Sequence, residues 1–561
     1  MKPKRLLTAI FLIPLFTFSQ TRYSIVIDEI MADPAPQVGL PGNEWIELKN
    51  ISTLPLNLGG WHLANASAQT GSFPDFTLQP DSFLLVCSSN AAPTMSAFGN
   101  TISVAKFPSL DNDGDLLILS DENGNVIDAV DYSNLWYQNE LKKEGGWTLE
   151  MIDTKNPCGG SSNWKASIAP TGGTPGIRNS VDAIITDEKA PGLKYTFLID
   201  SMTIVAVFDK AIDSLEGSTS NNYSLSGNLL ILSATLLPPL FNTTQLKLGT
   251  PLAPNIVYVL TANNIVDCHN NAIGANNMAR VGLPAEALQS DIVINEILFN
   301  PKPNDFDYVE FYNRSNKILD ASRLFCANRN SNGDIASIEQ IFPTPFYIFP
   351  GDYIVVTENS ASLAMNYLIK NPEAVIEMTS LPSYPDDEGN VILLNGQGEI
   401  VDEVNYFKDW QFKLIDDPAG VALERIDPGG ASQDESNWHS AAATAGYGTP
   451  GYQNSQFKQT QAINATIGIH PKIFSPDNDG HDDVTSVLYK VSEQGYIANV
   501  TIFNAEGRPV RYLARNEILG LAGQWKWDGL DEKGNKLTIG AYIIYTEIFN
   551  LRGKTQHFRN A

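Results

Sequence analysis

Apolar and polar positions alternate along short stretches of this chain, and turn-forming residues interrupt them every few positions. WIELKN (45–50) and YVEFYN (308–313) follow a period of two, while FLLVC (83–87), YIVVT (353–357), LLILS (116–120) and VILLN (391–395) are brief β-rich runs. ENGN (122–125), NGQG (395–398) and QPDS (79–82) punctuate them. Short strands separated by such turns predict β-sandwiches. One helical stretch is predicted, ASLAMNYLIK (361–370), stopped by Asn371–Pro372.

The pattern occurs twice. IVIDEIMADP (25–34) returns as IVINEILFNP (292–301), and EWIELKN (44–50) as DYVEFYN (307–313). DGDLLILSDENGNVIDAVDY (113–132) returns as EGNVILLNGQGEIVDEVNY (388–406), with Trp136 matched by Trp410. Each copy closes on the same blocks, LEMID, NW and GGTPGIRN (172–179) in the first and LERID, NW and YGTPGYQN (447–454) in the second. Blocks in a fixed order with a drifting offset describe one unit used twice, with insertions between its strands.

The INEI opening, the DYVEFYN strand, PGDYIVV (350–356) and the closing NW…GTPG resemble the lamin-tail domain of secreted bacterial proteins, over 20–181 and 287–457. That resemblance implies an immunoglobulin-like sandwich and no chemistry. Between the copies, 182–286 resembles a bacterial Ig-like spacer in TIVAVFDKAID, NNYSLSG and YVLTANNIVDCHNNAIG, with Asn270–Asn271 where that family usually has a glycine. The last segment, 458–561, carries FSPDNDGHDD, then WDGLDEKG and GAYIIYTEIF. It is similar to the C-terminal domains of gliding-motility and type IX secretion cargo, and to the FlgD-type Ig-like fold. The resemblance implies an address recognised by a type IX translocon. The expected architecture is all-β, four Ig-like sandwiches in tandem behind a signal peptide at 1–19.

Length supports several domains, since 561 residues exceed one core at ~150 residues per domain. MKPKR followed by the uncharged run Leu6–Phe18 has the form of a secretory signal, and no later run is apolar for long enough to span a bilayer. With 63 acidic and 37 basic residues the net charge is −26, which disfavours nucleic acid and anionic membranes as partners. Cys87, Cys158, Cys268 and Cys326 lack metal-ligand spacing. Cys87 and Cys158 fall in one domain and could bridge; four buried thiols is the competing expectation.

Candidate chemistry is sparse. His62, His269, His439, His470, His481 and His557 are scattered, and neither an HExxH pair nor a GxSxG elbow occurs. Glu29 and Glu47 recur as Glu296 and Glu310. On alternating strands they are expected to point outward and order a loop; a hydrolytic pair is the alternative. Trp61, Trp136, Trp147, Trp164, Trp410 and Trp438 are expected as core anchors rather than as a carbohydrate site. In IFSPDNDGHDD (473–483), Asp477, Asp479, the His481 carbonyl and Asp483 alternate around Gly480 as calcium ligands do, although an EF-hand register from Ser475 finds Ser486 where Glu is needed; a solvated Asp turn without a bound ion is the competing expectation. DNDGD (111–115) is expected to form an Asx turn. The resulting expectation is a non-enzymatic, exported surface protein that binds an unknown protein or glycan; a secreted hydrolase or a part of the secretion machinery are the alternatives.

Overall fold

The computed structural model describes residues 22–186, 189–415, 417–458, 465–491, 495–550 and 555–561; the expected signal peptide lies outside them. The chain divides into two compact units, one running essentially to Ala285 and one from Glu286 on.

Both copies of the repeat build the same sheet. In the first, six strands lie in the order Trp164–Ala166, Leu149–Met151, Ile25–Met31, Trp45–Asn50, Phe83–Ser88 and Thr101–Val104. In the second, the order is Trp438–Ser440, Leu423–Arg425, Ile292–Leu298, Tyr308–Asn313, Tyr353–Thr357 and Val375–Glu377. In each copy the outermost pair is parallel and the rest antiparallel. A parallel pair needs a crossover. It holds the helix Ala92–Met95 in the first copy and Ser360–Asn366 in the second. A smaller sheet faces the core in each copy, three strands ending at Ser133 and four ending at Phe407.

The spacer and the C-terminal segment are built similarly. The first pairs a four-stranded sheet with a three-stranded one between Leu193 and Val281. The second pairs Ala465–His470, Thr485–Val491 and Ala522–Trp527 with four strands ending at Asn560. Their cores centre on Ile204, Phe208, Leu246 and Leu260, and on Val487, Val500, Trp527 and Ile548. The all-β architecture therefore matches the expectation from the alternation pattern.

Two expectations are corrected. The helix stops at Asn366, short of Asn371–Pro372, because Tyr367 turns extended and is drawn into the core. Its hydroxyl donates to the Gly420 carbonyl at 2.9 Å and its ring meets Tyr308 edge-on. Tertiary packing thus ends the helix before the proline does. Among the cysteines, Cys158 bridges Cys268 rather than Cys87, with Cα atoms 6.2 Å apart. Cys87 and Cys326 are free thiols inside their cores, so the four-thiol expectation fails as well. Cys87 is on a core strand, whereas Cys158 and Cys268 are on loops of two sandwiches within one compact unit. His269 lies beside that bridge, its Nε2 3.0 Å from the Lys155 carbonyl.

The copies differ in how they satisfy one buried aspartate. Asp128 and Asp402 each accept the backbone N–H of the first strand, from Ile27 and Ile294, at 2.8 Å. Asp402 also pairs with the fully buried Arg425 at 3.0 Å, where the first copy has Met151. Asp128 lacks that partner, and burial outweighs the hydrogen bonds from Ile27 and Ala129 and the Arg22 charge, pushing its carboxyl up to about 7. Breaking a buried pair from one side costs about 3–5 kcal/mol, since the remaining charge stays desolvated. Arg425→Met, the first copy's own residue, is therefore expected to destabilise the second copy by that amount, read as a lower urea midpoint; the charge-removing pair Arg425→Met with Asp402→Asn is expected to recover most of it.

Candidate functional site

The repeated glutamates form a row across three strands. Glu29 is registered opposite Glu47 on one side and Glu150 on the other; Glu296 stands likewise between Glu310 and Glu424. A bulge just before Glu29, and another before Glu296, sets this register. All six side chains are fully buried, which overturns the outward-facing expectation. The strands alternate correctly, but the face away from the sandwich core is itself covered.

The cover is the closing GTPG loop. Thr174–Ile177 and Thr449–Tyr452 are β-turns, closed by hydrogen bonds of 3.2 Å. Pro occupies the second position and a glycine with φ near +80° the third, as a type II turn requires. At Gly176 an added methyl would also overlap the Phe98 carbonyl. This turn aims its donors at the glutamates. Thr174 N–H donates to Glu29 at 2.7 Å and Gly176 N–H to Glu47 at 2.5 Å. In the second copy, Thr449 N–H donates to Glu296 at 2.8 Å and Gly451 N–H to Glu310 at 2.6 Å. Each threonine hydroxyl reaches the third glutamate, Glu150 or Glu424, at 2.9 Å. Asn179 and Asn454 then bond the carbonyls of two neighbouring strands, closing the loop onto the sheet.

Burial dominates the electrostatics, with the neighbouring carboxylates adding to it. The Glu296 carboxyl is pushed up to about 8 by desolvation and then by Glu424; Glu310, Glu29 and Glu47 are held well above the usual carboxylate range for the same reasons. Protons are therefore part of the structure. Thr449 Oγ1 lies 2.9 Å from both Glu296 and Glu424 and has one hydrogen to give. A protonated Glu296 completes the chain by donating to it.

The first copy relies on protons further. Asn295 donates to Glu310 at 2.7 Å, and Tyr308 to Glu296 at 2.7 Å. Asp28 and Trp45 stand at the corresponding strand positions, and Asp28 Oδ1, Glu29 Oε2 and Glu47 Oε1 are buried without a side-chain or backbone donor. Burial pushes Asp28 up to about 7. An aspartic acid can supply the hydrogen of the Asn295 amide only while protonated. A closed, loop-filled row of this kind orders backbone and presents no carboxylate to a substrate groove.

The other sequence candidates fall elsewhere. Asp477, Asp479 and Asp483 do come together, their oxygens within 4.8 Å of one another. The recorded contact of His481 with them is its N–H, donated to Asp479 at 2.8 Å, and its exposed ring lies beside Asp482. Asp483 accepts N–H groups from Asn478 and Gly480. In DNDGD, Asp113 N–H donates to Asp111 at 3.0 Å, the expected Asx turn. Trp61, Trp164 and Trp438 are buried; Trp136 and Trp410 pack against the latter two at 6.3 and 6.4 Å between centroids. Trp147 packs on the first core and takes the Lys142 ammonium over its ring.

Comparison with known families gives one match. The lamin tail domain model matches the chain twice. The matched residues are 19–134 and 285–408, so each lamin-tail match stops before the strand carrying Glu150 or Glu424 and before the GTPG loop. No curated protein matches the sequence. Among solved structures, the N-terminal part of the bacterial S-layer protein SbsC is 16% identical over 30% of this chain and 40% of its own, with a TM-score of 0.16. The longer rSbsC(31–844) is 11% identical over 66% of this chain and 54% of its own, also at 0.16. A DUF4876 family protein from Bacteroides thetaiotaomicron is 11% identical over 42% of this chain and 92% of its own, at 0.18. Superpositions this poor transfer neither fold nor function.

The raised acids fix the sign of a pH dependence. A folded-state carboxyl that keeps its proton above the unfolded value binds more protons than the unfolded chain between about pH 4.5 and 8, so stability falls as pH rises through that window. Each retained proton contributes about 1.4 kcal/mol per pH unit to the slope. Glu296→Gln mimics the protonated acid, its amide donating to Thr449, and is expected to remove one proton's share. Urea midpoints measured from pH 5 to 8 check this; an unchanged slope rejects the assignment.

Proposed function

We propose that this chain is an exported, non-enzymatic surface protein whose lamin-tail sandwiches are rigid platforms for binding or scaffolding. One observation carries the reading: the three glutamates repeated side by side in both copies are consumed in holding a loop. A hydrolase working through these acids would need a carboxyl pair facing a groove that admits substrate and water. The rows at Glu29–Glu47 and Glu296–Glu310 face backbone donors instead. Recognition through loops and sheet faces of a rigid scaffold is the chemistry such sandwiches offer. Among the described residues, no helix is long and apolar enough to cross a membrane.

The export half of the proposal rests on the basic-then-apolar N-terminus and on the resemblance of 458–561 to type IX sorting domains. The translocon of that route is the proposed partner of the C-terminal domain. Fractionating cells that lack the translocon is expected to leave the full chain inside the envelope; intact protein on their surface sinks this route.

At the entry turn of that domain we propose calcium as the ligand of Asp477, Asp479 and Asp483. Three carboxylates on alternate and nearby loop positions present the oxygen donors this cation prefers, and the −26 chain is attractive to it. A millimolar addition of calcium is expected to raise the melting temperature of the chain. Asp479→Asn is expected to abolish that rise, and the same melting temperature with and without calcium excludes the site.

A further inference from the structure

The two copies share what the fold requires, so positions where they diverge in concert are informative. Both hairpins in the smaller sheets turn on the same device: Asp121 accepts the N–H groups of Asn123 and Asn125, and Asn395 those of Gln397 and Glu399. Counting back from these turns along the paired strands aligns Leu117–Val130 with Val391–Val404. The same register places Leu116, Ala129, Asp131 and Ser133 of the first copy where the second has Asn390, Glu403, Asn405 and Phe407. The adjoining strand, aligned through Ala64 and Ala327, places Ala66 where the second copy has Arg329. One copy folds with apolar or small residues at most of these positions. The other has built a polar network there.

The network is ordered and borders a cleft of about 390 Å³, within the ~300–1,000 Å³ range of small-molecule sites. Arg329 holds Glu403 bidentately, Nε to Oε1 at 2.6 Å and Nη2 to Oε2 at 2.9 Å. Asn390 donates to Glu403 at 2.8 Å and to Asn405 at 2.7 Å. Gln433 fixes Asn405 from the other side through three contacts of 2.8–3.2 Å. With Nη1 donating to the Gly333 carbonyl, three of the five guanidinium N–H groups are used and two remain. Asn405 Nδ2 keeps one hydrogen as well. Beside these donors, the Phe407 ring is 41% exposed and braced by Trp410 at 5.8 Å between centroids.

Planar donor groups held rigid beside an exposed aromatic ring fit a pyranose. Its C–H face packs on the ring, and its adjacent hydroxyls take paired hydrogen bonds from guanidinium and amide groups. The sign of the surroundings narrows the class. Arg329 is neutralised by Glu403, whose carboxyl that arginine holds below its usual range, and Glu388 lines the same cleft. An anionic sugar would meet net negative charge. We infer that the cleft lined by Arg329, Asn390, Asn405 and Phe407 of the second sandwich, with Glu403 bracing Arg329 and Asn390, binds an uncharged saccharide unit. The inference rests on the surface-binding reading above and names the ligand class for one of its two platforms.

Native gel electrophoresis of the full chain in gels cast with laminarin, galactomannan or, as the anionic control, polygalacturonate tests it. Retardation is expected in at least one neutral polymer and none in polygalacturonate. Phe407→Ala and Asn405→Ala are each expected to weaken that retardation about tenfold with an unchanged melting temperature. Asp131→Ala, in the first copy, is expected to leave it untouched. No retardation in either neutral polymer, retention of full binding by both second-copy variants, or equal binding to polygalacturonate overturns the saccharide site. Cell fractionation reads surface placement independently, so a chain found on the surface that ignores these polymers loses this inference while keeping the proposed function.

Discussion

The grip of the GTPG turn on three buried carboxyls is the interaction on which each of the two repeated sandwiches depends. A turn is a weak structural unit by itself, and a loop laid over a sheet leaves its N–H groups in need of acceptors. The glutamates supply those acceptors in the right order along the three central strands. In return the loop covers a sheet face that would otherwise put ionised side chains in water. The cost of burying these acids side by side is met by keeping protons on Glu29 and Glu47 in one copy and on Glu296 and Glu310 in the other, because a neutral carboxyl escapes both desolvation and mutual repulsion. Fold and protonation state are therefore set together.

Much of this was legible along the chain, and the reasons are specific. The strand pattern, the duplicated blocks and the T-P-G-x-x-N closing motif all stand in the sequence, and each residue of that motif except its proline and two variable positions has a partner in the structure. The proline sets the turn. What alternation could not reveal is that the outward face of WIELKN and YVEFYN is covered. The covering loop comes from Thr174 and Thr449, 145 and 153 residues beyond the glutamates it meets. The partner of Cys158 was hidden for a similar reason. Loops of two sandwiches meet in space without any trace in local pattern, whereas shared domain membership had suggested Cys87.

In the Asp-rich turn, Asp477, Asp479 and Asp483 gather their oxygens, and His481 donates its N–H to Asp479. The saccharide cleft left its signal only in a comparison. Alone, Asn390, Asn405 and Phe407 look like ordinary strand residues. Set against Leu116, Asp131 and Ser133 in a register that the hairpin turns define, they show a surface that one copy has altered and the other has not. Duplication makes the molecule its own control: the shared residues report folding, and the divergent ones report use.

The bridge between Cys158 and Cys268 joins positions 110 residues apart in sequence and closes the stretch between them into a ring. A protein anchored at one end and loaded at the other carries tension along covalent bonds, and here that path jumps from the first sandwich to the end of the spacer. Everything inside the ring is shielded from the pull: the strand Trp164–Ala166, the GTPG turn of the first copy and most of the spacer's strands. The clasp that holds the first sandwich shut lies within this sheltered stretch. The second copy's clasp, at Thr449–Gly451, lies outside any such ring, so under mechanical load the two otherwise similar sandwiches would open in a defined order.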